Sequence, residues 1–239
     1  MKKLNFIIKY GLALLLLSFY SCESWLNVTP SDRLSEEMLF NDREGFVKAL
    51  NGVYIELNTN ELYGRNLTAG ALDVMGQYYS VASSSHAFYN YGGLVYTGND
   101  EKALFDNMWQ KCYAVIACCN TIIEKCDENK AGLSPVWKGS IKGEALALRA
   151  MLHFDMLRLF GPLTSELDKE SIPYQTNSDQ TVTPLLSGSE VIGLILDDLK
   201  NAVGLLKDTD PYFVEEEFSD TDLNYRRFRM NYFAAKGLM

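Results

Sequence analysis

Residues 63–96 hold the densest set of side chains able to recognise a small polar ligand. This stretch carries Tyr63, Tyr78, Tyr79, Tyr89, Tyr91 and Tyr96, six of the 14 tyrosines, together with Phe88, His86 and Asn90. Ser80, Ser83, Ser84, Ser85, Gly92 and Gly93 interrupt any helical pattern, so the spacing predicts a loop region. A tyrosine offers a flat apolar face and a hydroxyl with few rotors to freeze, which suits ligands that present C–H faces and hydroxyls together. On that chemistry the ligand-binding residues are Tyr78, Tyr79, Tyr89 and Tyr91, with His86 and Asn90 as hydrogen-bond partners, while about half of the loop's rings pack onto the protein itself. Asp73 is expected to anchor the loop's own backbone.

Other residue sets fall short of chemistry. Gly188 and Gly193 have phosphate-loop spacing, but Leu194 and Ile195 stand where a lysine and a hydroxyl are needed. Asp220, Asp222 and Asn224 imitate the start of a calcium loop, yet Tyr225 replaces its turn glycine and Asn231 its closing carboxylate. His153 lies in the most apolar stretch of the chain and reads as a satisfied core histidine. Asp155 and Arg158 read as an ion pair on a helix surface. Cys112, Cys119 and Cys126 recur every seven residues, one stripe of a helix with sulfurs too far apart for a disulfide or a shared metal. The cysteines, Cys118 included, read as small buried hydrophobes, with no metal and no cofactor expected. No HExxH, GxSxG or GxGxxG occurs.

The elements that position these residues are helical. Apolar residues recur at helical spacing over 41–57, 101–126, 135–161, a segment after Ser189, and 225–239. Asn41 with Glu44 reads as a capping box for the first. The third is apolar on most of its surface and should be buried on most sides. Strand signal is confined to residues 93–97; 163–188 and 208–224 read as loops. Ala150, Phe154, Leu157 and Pro162 match the second-helix spacing of a tetratricopeptide repeat, and Trp109 and Tyr113 its first-helix aromatics. Ala150 and Phe154 are therefore expected between paired helices. The class is all-α: a superhelix of irregular tetratricopeptide-like helix pairs with long loops.

The N-terminus reads as an export signal. Lys2, Lys3 and Lys9 precede residues 10–20, an uncharged stretch too short to span a bilayer, and Ser21 and Cys22 follow at once. That divides the chain into a signal peptide, 1–21, and a mature helical domain, 22–239, with Cys22 as the lipidation site. Lys and Arg number 22 against 31 Asp and Glu, a charge of −9 that becomes −12 without the three leader lysines. This acidity excludes nucleic acid as the main partner and leaves lipid rather than a basic face to hold a membrane. Residues 23–34 lack helical periodicity; Trp25 and Leu26 there either contact a partner or tuck back onto the helices.

Several of these segments together resemble the SusD/RagB family of outer-membrane nutrient-uptake lipoproteins. They are the start from Cys22-Glu-Ser-Trp, Ala49-Leu-Asn-Gly-Val-Tyr54, the Trp109–Tyr113–Ile116–Asn120 pattern, the run from Gly143 to Pro162, and Arg226-Arg-Phe-Arg-Met-Asn-Tyr232. The resemblance implies an α-superhelix of tetratricopeptide-like pairs and a surface-exposed outer-membrane lipoprotein rather than an enzyme. It implies oligosaccharide, or peptide, as cargo and a SusC-type TonB-dependent transporter as partner. It also implies ligand contacts from the loop region before the Trp109 helix. Members are about twice this length, so the chain is expected to be a truncated N-terminal portion. A lipid-anchored glycan hydrolase and a helical-repeat scaffold without a small ligand are the alternatives.

Overall fold

The computed structural model describes residues 36–179, 181–214 and 217–239, and residues Leu39–Met239 form one compact unit. Cys22, Trp25, Leu26 and the whole export signal lie outside the described residues. Among the described residues no helix is long and apolar enough to cross a membrane.

Four long helices make the frame: α1 (Arg43–Leu57), α4 (Asn99–Glu128), α5 (Pro135–Phe160) and α6 (Gly188–Thr209). Between α1 and α4 lie two short helices, α2 (Ala71–Met75) and α3 (Tyr89–Gly92). Two more, α7 (Asp220–Arg226) and α8 (Tyr232–Leu238), follow α6. Helix α5 is the hub, packing most extensively on α6 and then on α4, while α1 packs on α4. Buried faces from all four meet in one core: Phe46 and Leu50 of α1, Met108, Ile116 and Ile122 of α4, Leu148, Leu152 and Met156 of α5, and Leu199 and Leu206 of α6.

The helix ends follow local chemistry. Ser134 accepts the Trp137 N–H at 3.3 Å and Pro135 opens α5; Gly161 and Pro162 close it. Asn129 ends α4 in the left-handed region, at φ 47°. Ser187 and Glu190 form the capping box of α6. At α1 the cap is Asp42, not Asn41: Asp42 is the extended residue and accepts the Gly45 N–H at 2.8 Å.

The α5–α6 contact depends on two glycines one turn apart. A Cβ at Gly139 would lie 2.5 Å from Thr209 Cγ2, and one at Gly143 would lie 2.8 Å from Leu206 Cγ. Small residues therefore bring this pair together, as the repeat pattern implies, and Ala150 is fully buried in the same helix. Phe154 is a correction. It is 41% exposed, with the Arg158 guanidinium 5.4 Å from its ring. Phe160 fills the aromatic gap instead, 5.1 Å from Trp109 and 6.2 Å from Phe105.

Residues 163–188 are not simply loop. Strands β1 (Glu170–Pro173) and β2 (Leu185–Ser187) pair antiparallel, Glu170 opposite Ser187 and Pro173 opposite Leu185. The segment after β1 is held by a buried polar cluster. Arg149 donates to both carboxylate oxygens of Asp198 at 2.7 Å, and to Asn120 Oδ1 at 2.8 Å. Burial works against the Arg149 charge, but the Asp198 carboxylate outweighs it and raises the guanidinium's pKa. Tyr174 donates to Asp198 at 2.5 Å and stacks on His153 at 3.9 Å. Asn120 donates to the Gln175 and Asn177 carbonyls. His153 Nε2 accepts the Gln175 N–H at 3.0 Å, so its other nitrogen, 2.9 Å from the Arg149 carbonyl, carries the proton. Burial lowers its pKa to about 3, as befits a neutral core histidine.

The expected helix over 225–239 is broken in two, because Asp210 and Asn231 draw the chain inward. Asp210, fully buried, binds the Arg226 guanidinium and accepts the Tyr232 N–H at 2.8 Å, and Asn231 caps α8. Arg226 also donates to Glu144, and Arg229 donates to Glu144 Oε1 at 2.8 Å. Asp220, Asp222 and Asn224 lie on α7 rather than in an open loop; Ser219 and Asp222 form its capping box. Residues 93–97 form no strand.

Candidate functional site

The tyrosine-rich segment is a loop platform seated on the helical frame. Leu62 and Leu67 are buried in the turns after α1, and the Tyr63 hydroxyl donates to Asp155 Oδ2 at 2.5 Å. Burial, with the Asp155 carboxylate, pushes the Tyr63 pKa far up, so this ring is a structural donor. Asp155, buried on α5, also pairs with Arg158 at 2.7 Å and is therefore more than a surface partner. Farther along, Val74 of α2 packs inward and Gln77 bends the chain at φ 62°. The Gln77 amide then donates to the Gly92 carbonyl at 3.0 Å, tying the end of α2 to the end of α3. The Tyr78 N–H bonds to the Asp73 backbone carbonyl, so it is the main chain of Asp73 that braces the turn.

The six candidate residues separate into three groups. Tyr79 and Tyr89 have exposed rings and line one open cleft of about 410 Å³, together with Gln77, Ser80, Val81 and Asn90. A neighbouring cleft of about 470 Å³ is lined by Tyr79, Ser80, Ser83, His86 and Phe88, so Tyr79 stands in the walls of both. His86 Nδ1 accepts the Phe88 N–H at 3.0 Å, which leaves the proton of a neutral imidazole on Nε2 as a donor for a guest. Asn90 lines the first cleft with its amide already donating to Glu101 Oε1 at 2.8 Å, which fixes its orientation. Tyr78 is 80% exposed and lines neither cleft. Tyr91 does not face a cleft at all. It is 2% exposed, packed against Phe88, Tyr96 and Phe105 at 5.8–6.3 Å, and its expected contact with a ligand is replaced by a role in the floor.

Two cleft residues, Gln77 and Val81, carry no sequence signal for a site; their positions follow from the left-handed bend at Gln77. Residues 66–101 include Asp73, Asp100 and Glu101 and no Lys or Arg. Arg65 and Lys102 flank this stretch; the Arg65 guanidinium lies 5.8 Å from the Phe88 ring and donates to Asn66 at 3.2 Å. Among the described residues no group of His, Cys, Asp and Glu is arranged to hold a metal ion. Cys112, Cys119 and Cys126 are buried thiols, and burial pushes Cys126 up to about 12; Cys118, expected inside with them, is exposed on the outer side of α4.

Comparison with known proteins adds the family. The profile described as "Starch-binding associating with outer membrane" matches residues 24–219. The chain belongs to the SusD-like family. Among curated relatives, SusD-like protein P38 of Formosa agariphila is 27% identical over 199 residues, covering 76% of this chain and 34% of that protein. A SusD-like protein of Bacteroides ovatus is 30% identical over 110 residues, 44% of this chain and 19% of that protein. The chain thus spans about a third or less of the length of these relatives. Among solved structures, a SusD-like carbohydrate binding protein from Bacteroides vulgatus matches with a TM-score of 0.64 and 23% identity, covering 83% of this chain and 40% of that one. A SusD-like protein from Bacteroides fragilis matches at 0.61 and 19%, over 88% and 36%. These likenesses are of fold, and they agree with the all-α arrangement of helix pairs.

Proposed function

We propose that this SusD-like chain belongs to a surface lipoprotein that binds oligosaccharide at the Tyr79–Tyr89 cleft. In this reading it passes the glycan to a SusC-type TonB-dependent transporter. Residues 1–21 are removed as a signal peptide, and Cys22 carries the acyl chains that hold the protein to the outer membrane. The observation that carries the proposal is the pair of exposed rings, Tyr79 and Tyr89, beside the polar side chains of Gln77, Ser80 and Asn90 on a braced loop. Exposed rings normally cost solvation, and here they sit where a pyranose face would cover them while the amides and hydroxyls meet its hydroxyls. The family's description, starch-binding, supports the same ligand class. Binding without turnover is the expected chemistry, in keeping with a solved relative described as a carbohydrate binding protein.

Calorimetric titration with maltoheptaose and other neutral oligosaccharides tests the reading. Tyr79→Ala and Tyr89→Ala together should weaken binding by about 1–3 kcal/mol with little change in melting temperature. Unaltered affinity removes the cleft from the proposal, and accumulation of reducing ends replaces the binding protein by a hydrolase. Loss of membrane retention in Cys22→Ala tests the anchor, and co-purification with the transporter after deletion of residues 24–31 tests docking.

A further inference from the structure

Among the described residues, three that are not glycine have a left-handed backbone: Gln77 at φ 62°, Leu94 at φ 56° and Asn129 at φ 47°. Asparagine tolerates that region; in glutamine and leucine the Cβ opposes it. Gln77 and Leu94 end their helices in the same way. After α2, the Gln77 N–H bonds to the Val74 carbonyl at 3.1 Å and the Tyr78 N–H to the Asp73 carbonyl at 3.0 Å. After α3, the Leu94 N–H bonds to the Tyr91 carbonyl at 3.1 Å and the Val95 N–H to the Asn90 carbonyl at 2.8 Å. These are the paired bonds of a Schellman cap, whose left-handed position usually holds glycine. In each cap a glycine stands one residue too early, Gly76 before Gln77 and Gly93 before Leu94. Gly93 has φ −85°, which any residue adopts, and a Cβ there would meet nothing closer than the Asn90 carbonyl oxygen at 3.6 Å. Nothing in this conformation calls for glycine at position 93. Burial does not hold Leu94 either, since it is 58% exposed.

A conformation that uses these glycines lies one residue back. With Gly93 left-handed, the same two bonds would run from the Gly93 and Leu94 N–H groups to the Asn90 and Tyr89 carbonyls, so the backbone loses no pairing. The strain at Leu94 would be relieved, and Val95 would leave its place in the cleft wall. The two caps are joined, because the Gln77 amide donates to the Gly92 carbonyl at 3.0 Å. Gln77, Gly92, Gly93 and Val95 line one cleft with Tyr79 and Tyr89. We propose that the Gly76-Gln77 and Gly93-Leu94 caps are a linked register switch: the strained register forms the Tyr79–Tyr89 cleft and the glycine register dismantles it. Gln77 and Leu94 are then positioning residues, and a guest that needs the formed cleft draws the loop into the strained register. For its guest the switch rests on the oligosaccharide reading; the register change itself does not.

NMR relaxation dispersion on the isotope-labelled protein without ligand, followed by calorimetry with maltoheptaose, tests the switch. The amides of Gln77, Tyr78, Leu94 and Val95 should exchange at a common rate. A Cβ at Gly76 would come within 3.2 Å of the Tyr78 ring, so the variants are made at the second cap, where both positions are exposed. Gly93→Ala fits the strained register and opposes the glycine register, so it should quench exchange at both caps. Leu94→Asn, at ease in the left-handed region, should reduce it. Leu94→Ile keeps the size and polarity of the side chain but puts a branched Cβ at positive φ. It should move the Leu94 and Val95 resonances toward the minor state and weaken maltoheptaose about threefold to tenfold, while Leu94→Asn binds at least as tightly as the parent. Absence of exchange in the parent overturns the proposal. So does exchange that survives Gly93→Ala at either cap, or equal affinity of the Asn and Ile variants where the parent binds. If the parent binds no oligosaccharide while exchange responds as stated, the oligosaccharide reading fails and the switch stands.

Discussion

Replacing Asp198 by alanine would strip the partner from a guanidinium that cannot reach water. Arg149 and Asp198 side chains are 7% and 10% exposed, and the carboxylate takes two bonds from Arg149 and one from Tyr174. The Coulombic gain of such a pair is offset by its desolvation, so the intact pair adds little net stability. Removing one member is different. It leaves a buried charge uncompensated and the Tyr174 hydroxyl without its acceptor, at a cost of about 3–5 kcal/mol. For a chain of this size each kcal/mol lowers the melting temperature by about 2–4 °C, so Asp198→Ala should melt roughly 6–20 °C below the parent. Thermal denaturation followed by circular dichroism reads this directly. The double variant Arg149→Met, Asp198→Leu removes both charges and should recover part of the loss, though Asn120 and Tyr174 still lose partners. Hydrogen exchange at Gln175, whose N–H is held by His153, should accelerate in the single variant. A drop of less than about 2 °C for Asp198→Ala would refute the reasoning, because it would mean that water or another group reaches Arg149.

Three further outcomes follow from the same structure. His153 has a pKa of about 3 when folded against 6.5 as a free side chain, so its neutral form contributes stability that is complete above pH 6.5 and is lost progressively toward pH 3. His153→Gln should flatten the acid limb of a stability-against-pH curve by about one kcal/mol per pH unit in that window; equal slopes would show that the ring is hydrated. Phe154→Ala should cost less than about 1 kcal/mol because the ring is largely exposed, whereas Ala150→Leu should cost about 1–3 kcal/mol by overpacking; the reverse order in chemical denaturation would restore Phe154 to a helix interface. Finally, with no Lys or Arg over residues 66–101, a sulfated or uronate-bearing oligosaccharide should bind at least about tenfold more weakly than its neutral counterpart in calorimetry, and tighter binding of the anion would count against the tyrosine-loop site.

The long helices were legible because their signals are local. Apolar residues three and four apart define α1, α4, α5 and α6, and Ser134-Pro135 and Gly161-Pro162 mark the ends of α5 within the sequence itself. The hairpin was not legible: β1 is four residues long, and what holds the chain after it comes from Asn120, Arg149 and Asp198 on three different helices. Phe154 has the repeat spacing, but whether a ring is buried depends on which helix lies opposite, and Phe105 and Trp109 face Phe160 instead. The same limit applies to the site. Composition pointed to the tyrosine loop, yet the split between exposed Tyr79 and Tyr89 and buried Tyr91 is set by Phe105, which arrives from α4.

The carboxylate of Glu144 joins distant parts of the chain, and this bears on the order in which the protein can mature. Its partners are the Tyr54 hydroxyl on one side and Arg226 and Arg229 on the other, and Tyr54 in turn accepts the Met230 N–H. Arg226 lies 82 residues after Glu144. A polypeptide emerging at about 5–20 residues per second presents the acid roughly 4–16 s before its cations. During that interval α5 has every apolar residue it needs to collapse onto α1 and α4, but closing the joint would entomb a lone negative charge. A joint between α5 and α1 closed before the Arg226-Arg-Phe-Arg229 segment is present would bury the Glu144 carboxylate without a cation, which the cost of desolvating a lone charge disfavours. A nascent chain stopped before residue 226 should stay open and protease-sensitive, while one extended past Met230 should lock.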